Sequence, residues 1–214
     1  MKKATQSIAL LLLLSATLVA CSKSDTTTVA PITAVTVRDI PADTVVGLSA
    51  QGAPLYTGKY TFYSLEKNGL VPSTDSASSK WDIGFMATKI IINGGTSGPG
   101  QGGAFVYTGL FDELKTIPAD STFKIDNAPA SFAVTFGSGK GWYTYDGLKN
   151  LVTPLAGRVL VIRTASGKYA KLEITAYYKG GTTLAASASD LEKLTKQRYY
   201  TFRFVYQPNG SKTF

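Results

Sequence analysis

The chain has 214 residues, with 22 basic and 14 acidic side chains, a formal net charge of +8, one cysteine and no histidine. Without histidine neither a Ser-His-Asp nor a Cys-His relay can be assembled, zinc sites of the usual Cys/His kind are excluded, and a lone cysteine rules out a disulfide framework. The length suits a single domain with a proper core, and the basic residues are scattered, which describes a solvated surface rather than a nucleic-acid-binding patch.

At the N-terminus, Lys2 and Lys3 precede an apolar run from Ile8 to Ala20 broken only by Ser15 and Thr17, the layout of a secretory signal. The run falls short of the ~20 residues that span a bilayer core. It ends in Leu18-Val19-Ala20-Cys21, which resembles a bacterial lipobox, so the expectation is a signal peptide over residues 1–20 and Cys21 as the acylated (palmitate-bearing) N-terminus. An ordinary secretory leader cut nearby, with Cys21 incidental, is the alternative. Residues 21–34 are rich in Ser and Thr without periodicity and read as a flexible tether, leaving residues 35–214 as the folded domain.

From there the chain reads as β almost throughout, with Val, Ile, Thr, Tyr and Phe runs separated by Gly, Pro, Asn and Ser breaks. Strands are predicted over 59–65, 80–92, 104–108, 131–136 and 141–145. In "RVLVIRTASGKYAKLEITAYY", Arg158 to Tyr178, two alternating runs flank Ala165-Ser166-Gly167-Lys168, which predicts a hairpin. "QRYYTFRFVYQ" gives a long strand from Gln197 to Gln207. Helical signals are thin: "FDELKTI" from Phe111 and "SDLEKLTK" from Ser189 would make about two turns each. The fold class is therefore all-β, a single domain of mostly antiparallel sheets with at most short helical turns.

Between Asn93 and Gly103 six of eleven residues are glycine, and Gly98, Gly100 and Gly103 match G-x-G-x-x-G by letter, with Asp126 about twenty residues on. A dinucleotide site needs a helix after that fingerprint, whose N-terminus holds the pyrophosphate. Here the β-prone "AFVYTG" follows, and the Gly-Lys-Ser/Thr ending of a P-loop is missing. The stretch is read as a wide strand connection whose small residues let it fold over a neighbour. Asp82, Asp112, Glu113, Asp146 and Glu173 leave carboxylate-pair hydrolysis formally open, but none sits in a catalytic motif, and the chain is not expected to be an enzyme.

"KYTFYSLEKNGLV", "KWDIGFMATKIIINGGTSGPGQGGA", "GWYTYD", "VLVIRTASGKYAKLEITAYY" and "RYYTFRFVYQPNG" are similar, in order, to successive blocks of the HmuY family, haem-binding lipoproteins of Bacteroidetes. The resemblance implies an all-β ligand-binding domain, a lipid anchor on the outer membrane as the only membrane attachment, and capture of haem or a related tetrapyrrole for a TonB-dependent receptor. It also implies an iron held between two axial side chains, histidines in the founding protein and methionine in several relatives. The first of these falls four residues after the aspartate of the "WD" strand, which in this sequence is Met86. No metal other than haem iron is implied.

A thioether is a competent axial ligand and favours ferrous iron. If residues 80–92 form one strand, Trp81, Ile83, Phe85 and Ala87 point one way, while Asp82, Gly84, Met86 and Thr88 point the other. Met86 then lies on the smaller, more polar face, suited either to a cleft or to filling a gap between sheets. The second ligand of the relatives comes from the segment before "GWYTYD". Thr108 to Lys140 here holds neither histidine nor methionine, and Tyr107 and Tyr143 lie in strands where packing is the ordinary role. At most one ligand therefore comes from this chain. The alternative is an HmuY-like lipoprotein that has lost haem and binds another small molecule, a protein, or a glycan stacked on Trp142, Tyr143 and Tyr145.

Overall fold

The computed structural model describes residues 32–214. The leader 1–20, Cys21 and all of the tether but residues 32–34 lie outside the described residues. Ile32–Phe214 form one compact unit.

Strand β1 (Val35–Pro41) is followed by a small hairpin, β2 (Gly47–Leu48) and β3 (Pro54–Leu55), then by β4 (Thr61–Ser64) and β5 (Gly69–Val71). A single 3-10 turn, Ser73–Asp75, leads to β6 (Ile83–Met86) and β7 (Lys89–Ile92). The glycine-rich connection then reaches β8 (Gly103–Thr108), and a long irregular stretch reaches the β9 (Tyr143–Asp146) and β10 (Leu151–Pro154) hairpin. β11 (Arg158–Arg163), β12 (Tyr169–Tyr178), helix α1 (Asp190–Lys196) and β13 (Gln197–Gln207) complete the order. All pairings are antiparallel: a five-stranded sheet β1-β13-β12-β11-β8, a four-stranded sheet β5-β4-β6-β7, and two isolated hairpins.

The two larger sheets face one another, because alternation places one apolar set of each toward the other. Tyr63, Ile83, Phe85, Ile90 and Ile92 from the four-stranded sheet share a buried cluster with Leu160, Leu172, Ile174, Phe202 and Phe204 from the five-stranded one. Tyr63 meets Phe202 edge-on at 5.5 Å between ring centroids, and Phe85 stacks on Phe202 at 5.6 Å. The other face of the five-stranded sheet is also covered. Phe111, Leu114 and Ile117 pack over Val159, Val161 and Val205. That second cover explains why Val159, Leu160, Val161 and Ile162 are all fully buried in one strand.

The hairpin β11–β12, the strand β13 over Gln197–Gln207 and the helix capped by Ser189, whose hydroxyl accepts from Glu192 N–H, lie where the sequence places them. Three expectations change. Residues 80–92 are a hairpin rather than one strand, turning at Ala87-Thr88 with Ala87 at φ 47°. This left-handed turn costs a non-glycine residue ~1 kcal/mol. It is held by Ala87 N–H donating to Ala42 O, by Tyr200 Oη donating to Ala87 O at 2.8 Å, and by the Trp142 indole N–H donating to Thr88 O at 3.1 Å. Residues 131–136 form no strand, since Ala133 N–H donates to the Asp126 carboxylate instead of to a ladder. "FDELKTI" makes a turn at Phe111–Glu113 and a β-bridge from Thr116 to Thr213 instead of a helix, and the carbonyls of Phe111 and Leu114 accept from the buried Lys171 ammonium.

Candidate functional site

The glycine-rich connection is built around Asn93, which is fully buried. Its amide nitrogen donates to Ser78 O and Trp81 O, and its amide oxygen accepts from Gly100 N–H. The loop lies so close to its neighbours that a Cβ on Gly100 would sit 2.6 Å from Asn93 O and 2.7 Å from Ala165 Cβ. Its amides serve the protein itself, as expected for a loop folded over a neighbour. Asp126 likewise binds backbone: one carboxylate oxygen accepts from Ile92 N–H and the other from Ala133 N–H, both at 2.8 Å. It therefore ties the 126–133 segment to the edge of β7.

The carboxylates are dispersed. Asp82 is buried, accepts from Leu65 N–H and Ala165 N–H, and joins the two facing sheets. Burial raises the pKa of its carboxyl against the pull of the Ala165, Leu65 and Glu66 amides. Asp146 pairs with Lys149, which lowers its pKa, and Glu113 is exposed. Asp112 and Glu173 converge only on Arg203, which pairs with both and lies over the Phe111 ring. Among the described residues no cluster of three metal-ligating side chains occurs.

The glycan platform is corrected by burial. Trp142 is 2% and Tyr143 6% exposed, both inside the core with Tyr177 and Tyr200, and Tyr145 alone reaches solvent. Tyr107 packs over the Val159 and Val161 side of the larger sheet.

Met86 ends β6 and is half-buried. The β6–β7 register sets it opposite Lys89. In the β4–β6 ladder Thr61 faces Phe85 and Phe62 faces Gly84, so continuing that register by one residue sets Tyr60 on the other side of Met86. Residues opposite one another in antiparallel strands share a face with Cβ atoms ~5 Å apart. Tyr60, Met86 and Lys89 thus form one row on the outward face of the four-stranded sheet, and Val71, Phe62, Gly84 and Ile91 form the next. This face is apolar rather than small and polar. Phe62 and Ile91 close over Gly84, and Trp81, which precedes β6, packs on Phe62 at 4.6 Å instead of following Ile83 and Phe85 inward.

On this face lies a groove of about 490 Å³, lined by Tyr60, Phe62, Lys89, Ile91, Phe132 and neighbouring small residues. A second hollow of about 690 Å³ shares Pro129 and Phe132 with it and is lined further by Lys124, Ile125 and Phe136. Both are of a size that takes small molecules. Met86 is not itself among the lining residues of either, although Tyr60 and Lys89 on its two sides line the first. The Lys89 ammonium lies 5.1 Å from the Phe132 ring centroid and 5.7 Å from that of Phe136. The Tyr60 hydroxyl has its pKa raised, first by burial and then by the Asp126 charge.

Tyr60, Lys89, Phe132 and Phe136 are not singled out by the sequence. The alternation Tyr60-x-Phe62 carries a signal, but Lys89 becomes a neighbour of Met86 only through the hairpin. In a continuous strand, residues three apart point to opposite faces.

Residues 57–188 match the model of the HmuY protein family, and the chain belongs to that family. Two solved structures share the fold. A protein from Bacteroides vulgatus, assigned as an HmuY-like haem-binding protein, has a TM-score of 0.50 at 16% identity, over 81% of this chain and 91% of that one. A protein from Bacteroides fragilis, assigned as a lipoprotein, has a TM-score of 0.50 at 14% identity, over 82% of this chain and 92% of that one. No curated protein matches the chain at a significant level.

Proposed function

We propose that this protein is a haem-binding lipoprotein of the HmuY family, anchored through Cys21 to the outer membrane, which captures haem and passes it to a TonB-dependent receptor without catalysing a reaction. The observation that carries this reading is the groove lined by Tyr60 and Lys89, the two cross-strand neighbours of Met86. Its aromatic and aliphatic walls suit a porphyrin, and Met86, the residue at which the family resemblance places the first axial ligand, stands in register between Tyr60 and Lys89 without itself lining the groove. Met86 would hold the iron of a bound haem, as the single protein ligand that this chain offers. A thioether holds ferrous iron more firmly than ferric.

Haem titration under reducing and oxidising conditions tests the assignment. The expected result is a Soret shift with the bands of a methionine-ligated ferrous haem, and a loss of at least about tenfold in ferrous-haem affinity in Met86→Ala. Unchanged spectra in Met86→Ala would remove the ligand, and no shift in the wild type would remove haem itself. One observation favours a second reading, in which the groove takes another flat amphipathic molecule without iron ligation: none of its lining residues carries sulfur or imidazole.

A further inference from the structure

We infer that Lys89 is the specificity-determining cation of the groove, and that the ligand it selects is a flat apolar ring system bearing a carboxylate, held with the carboxylate on the Lys89 ammonium. This rests on the reading of the groove as a porphyrin site and adds to it what part of the ligand this chain recognises.

The charge around the groove is one-sided. Lys89 and Lys124 are the charged residues lining the two hollows, and no Asp or Glu lines either. The nearest acid in the sequence of the wall, Asp126, is buried with both carboxylate oxygens occupied by Ile92 N–H and Ala133 N–H. Among the described residues the Lys89 ammonium has no carboxylate within ion-pair distance and donates no hydrogen bond to the protein. What holds it is aromatic: the rings of Phe132 and Phe136, within the ~6 Å over which a ring face attracts a cation. An ammonium so placed is partly withdrawn from water yet keeps N–H donors unspent.

Its position is also fixed. Lys89 opens β7 directly after a turn that Tyr200, Trp142 and Ala42 hold from behind. The side chain therefore rises from a rigid point beside Met86, at the rim of a floor made by Tyr60, Phe62 and Ile91. A ring system lying on that floor brings a peripheral carboxylate to the rim, where a charge-assisted hydrogen bond forms in a partly desolvated setting. An uncharged ring gains the floor and not the rim.

Metal-free protoporphyrin IX and its dimethyl ester separate the rim from the iron, since neither needs an axial ligand. Binding is read at neutral pH by quenching of tryptophan fluorescence, Trp81 lying behind Phe62. The wild type is expected to bind the diacid about tenfold or more tightly than the diester. Lys89→Gln should close most of that gap by weakening the diacid alone, and Lys89→Arg should restore it. Equal binding of diacid and diester by the wild type, or an undiminished gap in Lys89→Gln, would overturn the role of Lys89 while leaving the groove as a ring-binding site. Failure of both porphyrins to bind the wild type would overturn the groove assignment and this inference together.

Discussion

Replacing Asp126 separates a structural carboxylate from a ligand-binding one. Asp126 is 1% exposed and its two oxygens each accept one buried amide, from Ile92 and Ala133, at 2.8 Å. In Asp126→Ala both N–H groups lose their partner, at ~1–3 kcal/mol each, so the loss is about 2–6 kcal/mol out of a total stability of order 5–15 kcal/mol. In Asp126→Asn the amide oxygen still serves one N–H, so the loss is about half as large. At ~2–4 °C per kcal/mol for a domain of this size, Asp126→Ala should melt roughly 4–24 °C below wild type, with Asp126→Asn between them. Circular dichroism melts and urea titrations measure both. Because Phe132 and Pro129 line the groove from the same segment, porphyrin affinity should fall in the same order. Melting of Asp126→Ala within about 2 °C of wild type would refute the reasoning, since a carboxylate reserved for a ligand carries no fold.

Gly100→Ala forces a methyl group against Asn93 O and Ala165 Cβ and should cost ~1–3 kcal/mol, measured by urea unfolding, with faster hydrogen exchange across the loop. Lys171→Met keeps the apolar stem but strands the Phe111 and Leu114 carbonyls, so a loss of ~1–3 kcal/mol is expected, and unchanged stability would show that the ammonium contributes nothing there. Burial raises the Tyr63 hydroxyl from 10.0 to about 12 and pushes those of Tyr177 and Tyr200 upward as well. A folded pKa above the unfolded one means that this stability is fully present below pH 10 and is lost as the pH rises through about 12. Tyrosinate absorbance at these sites should therefore appear together with loss of the far-ultraviolet signal, and ionisation of all tyrosines near pH 10 in a still-folded protein would contradict it.

The long strands are legible because their neighbours leave no doubt about burial. Gln197–Gln207 and the Arg158–Tyr178 hairpin occupy the middle of the larger sheet, where apolar residues on both faces and a Gly167 turn write a clear pattern. The connection from Asn93 to Gly103 is legible for a different physical reason: a loop with no helix after it cannot present a dipole to a phosphate. Legibility is lost where a side chain replaces a ladder or a turn residue is atypical. The amides of Ser131 and Ala133 are spent on Asn127 O and the Asp126 carboxylate, and no local pattern reports a carboxylate coming from another turn.

The site depends on the least legible of these features. Hairpin turns announce themselves through Gly, Asn or Asp, because those residues enter the left-handed region cheaply. Ala87-Thr88 contains none, so "WDIGFMATKI" reads as one strand, with Met86 and Lys89 on opposite faces. The turn exists because residues distant in sequence stabilise it: Ala42, Trp142 and Tyr200 each bond its backbone. Long-range hydrogen bonds worth ~1 kcal/mol each outweigh one strained alanine. The same bonds set Met86 and Lys89 opposite one another at the end of the hairpin, with Lys89 at the groove. Met86 can be numbered from the sequence, but its neighbour Lys89 becomes visible only when the core of the opposite sheet is in place.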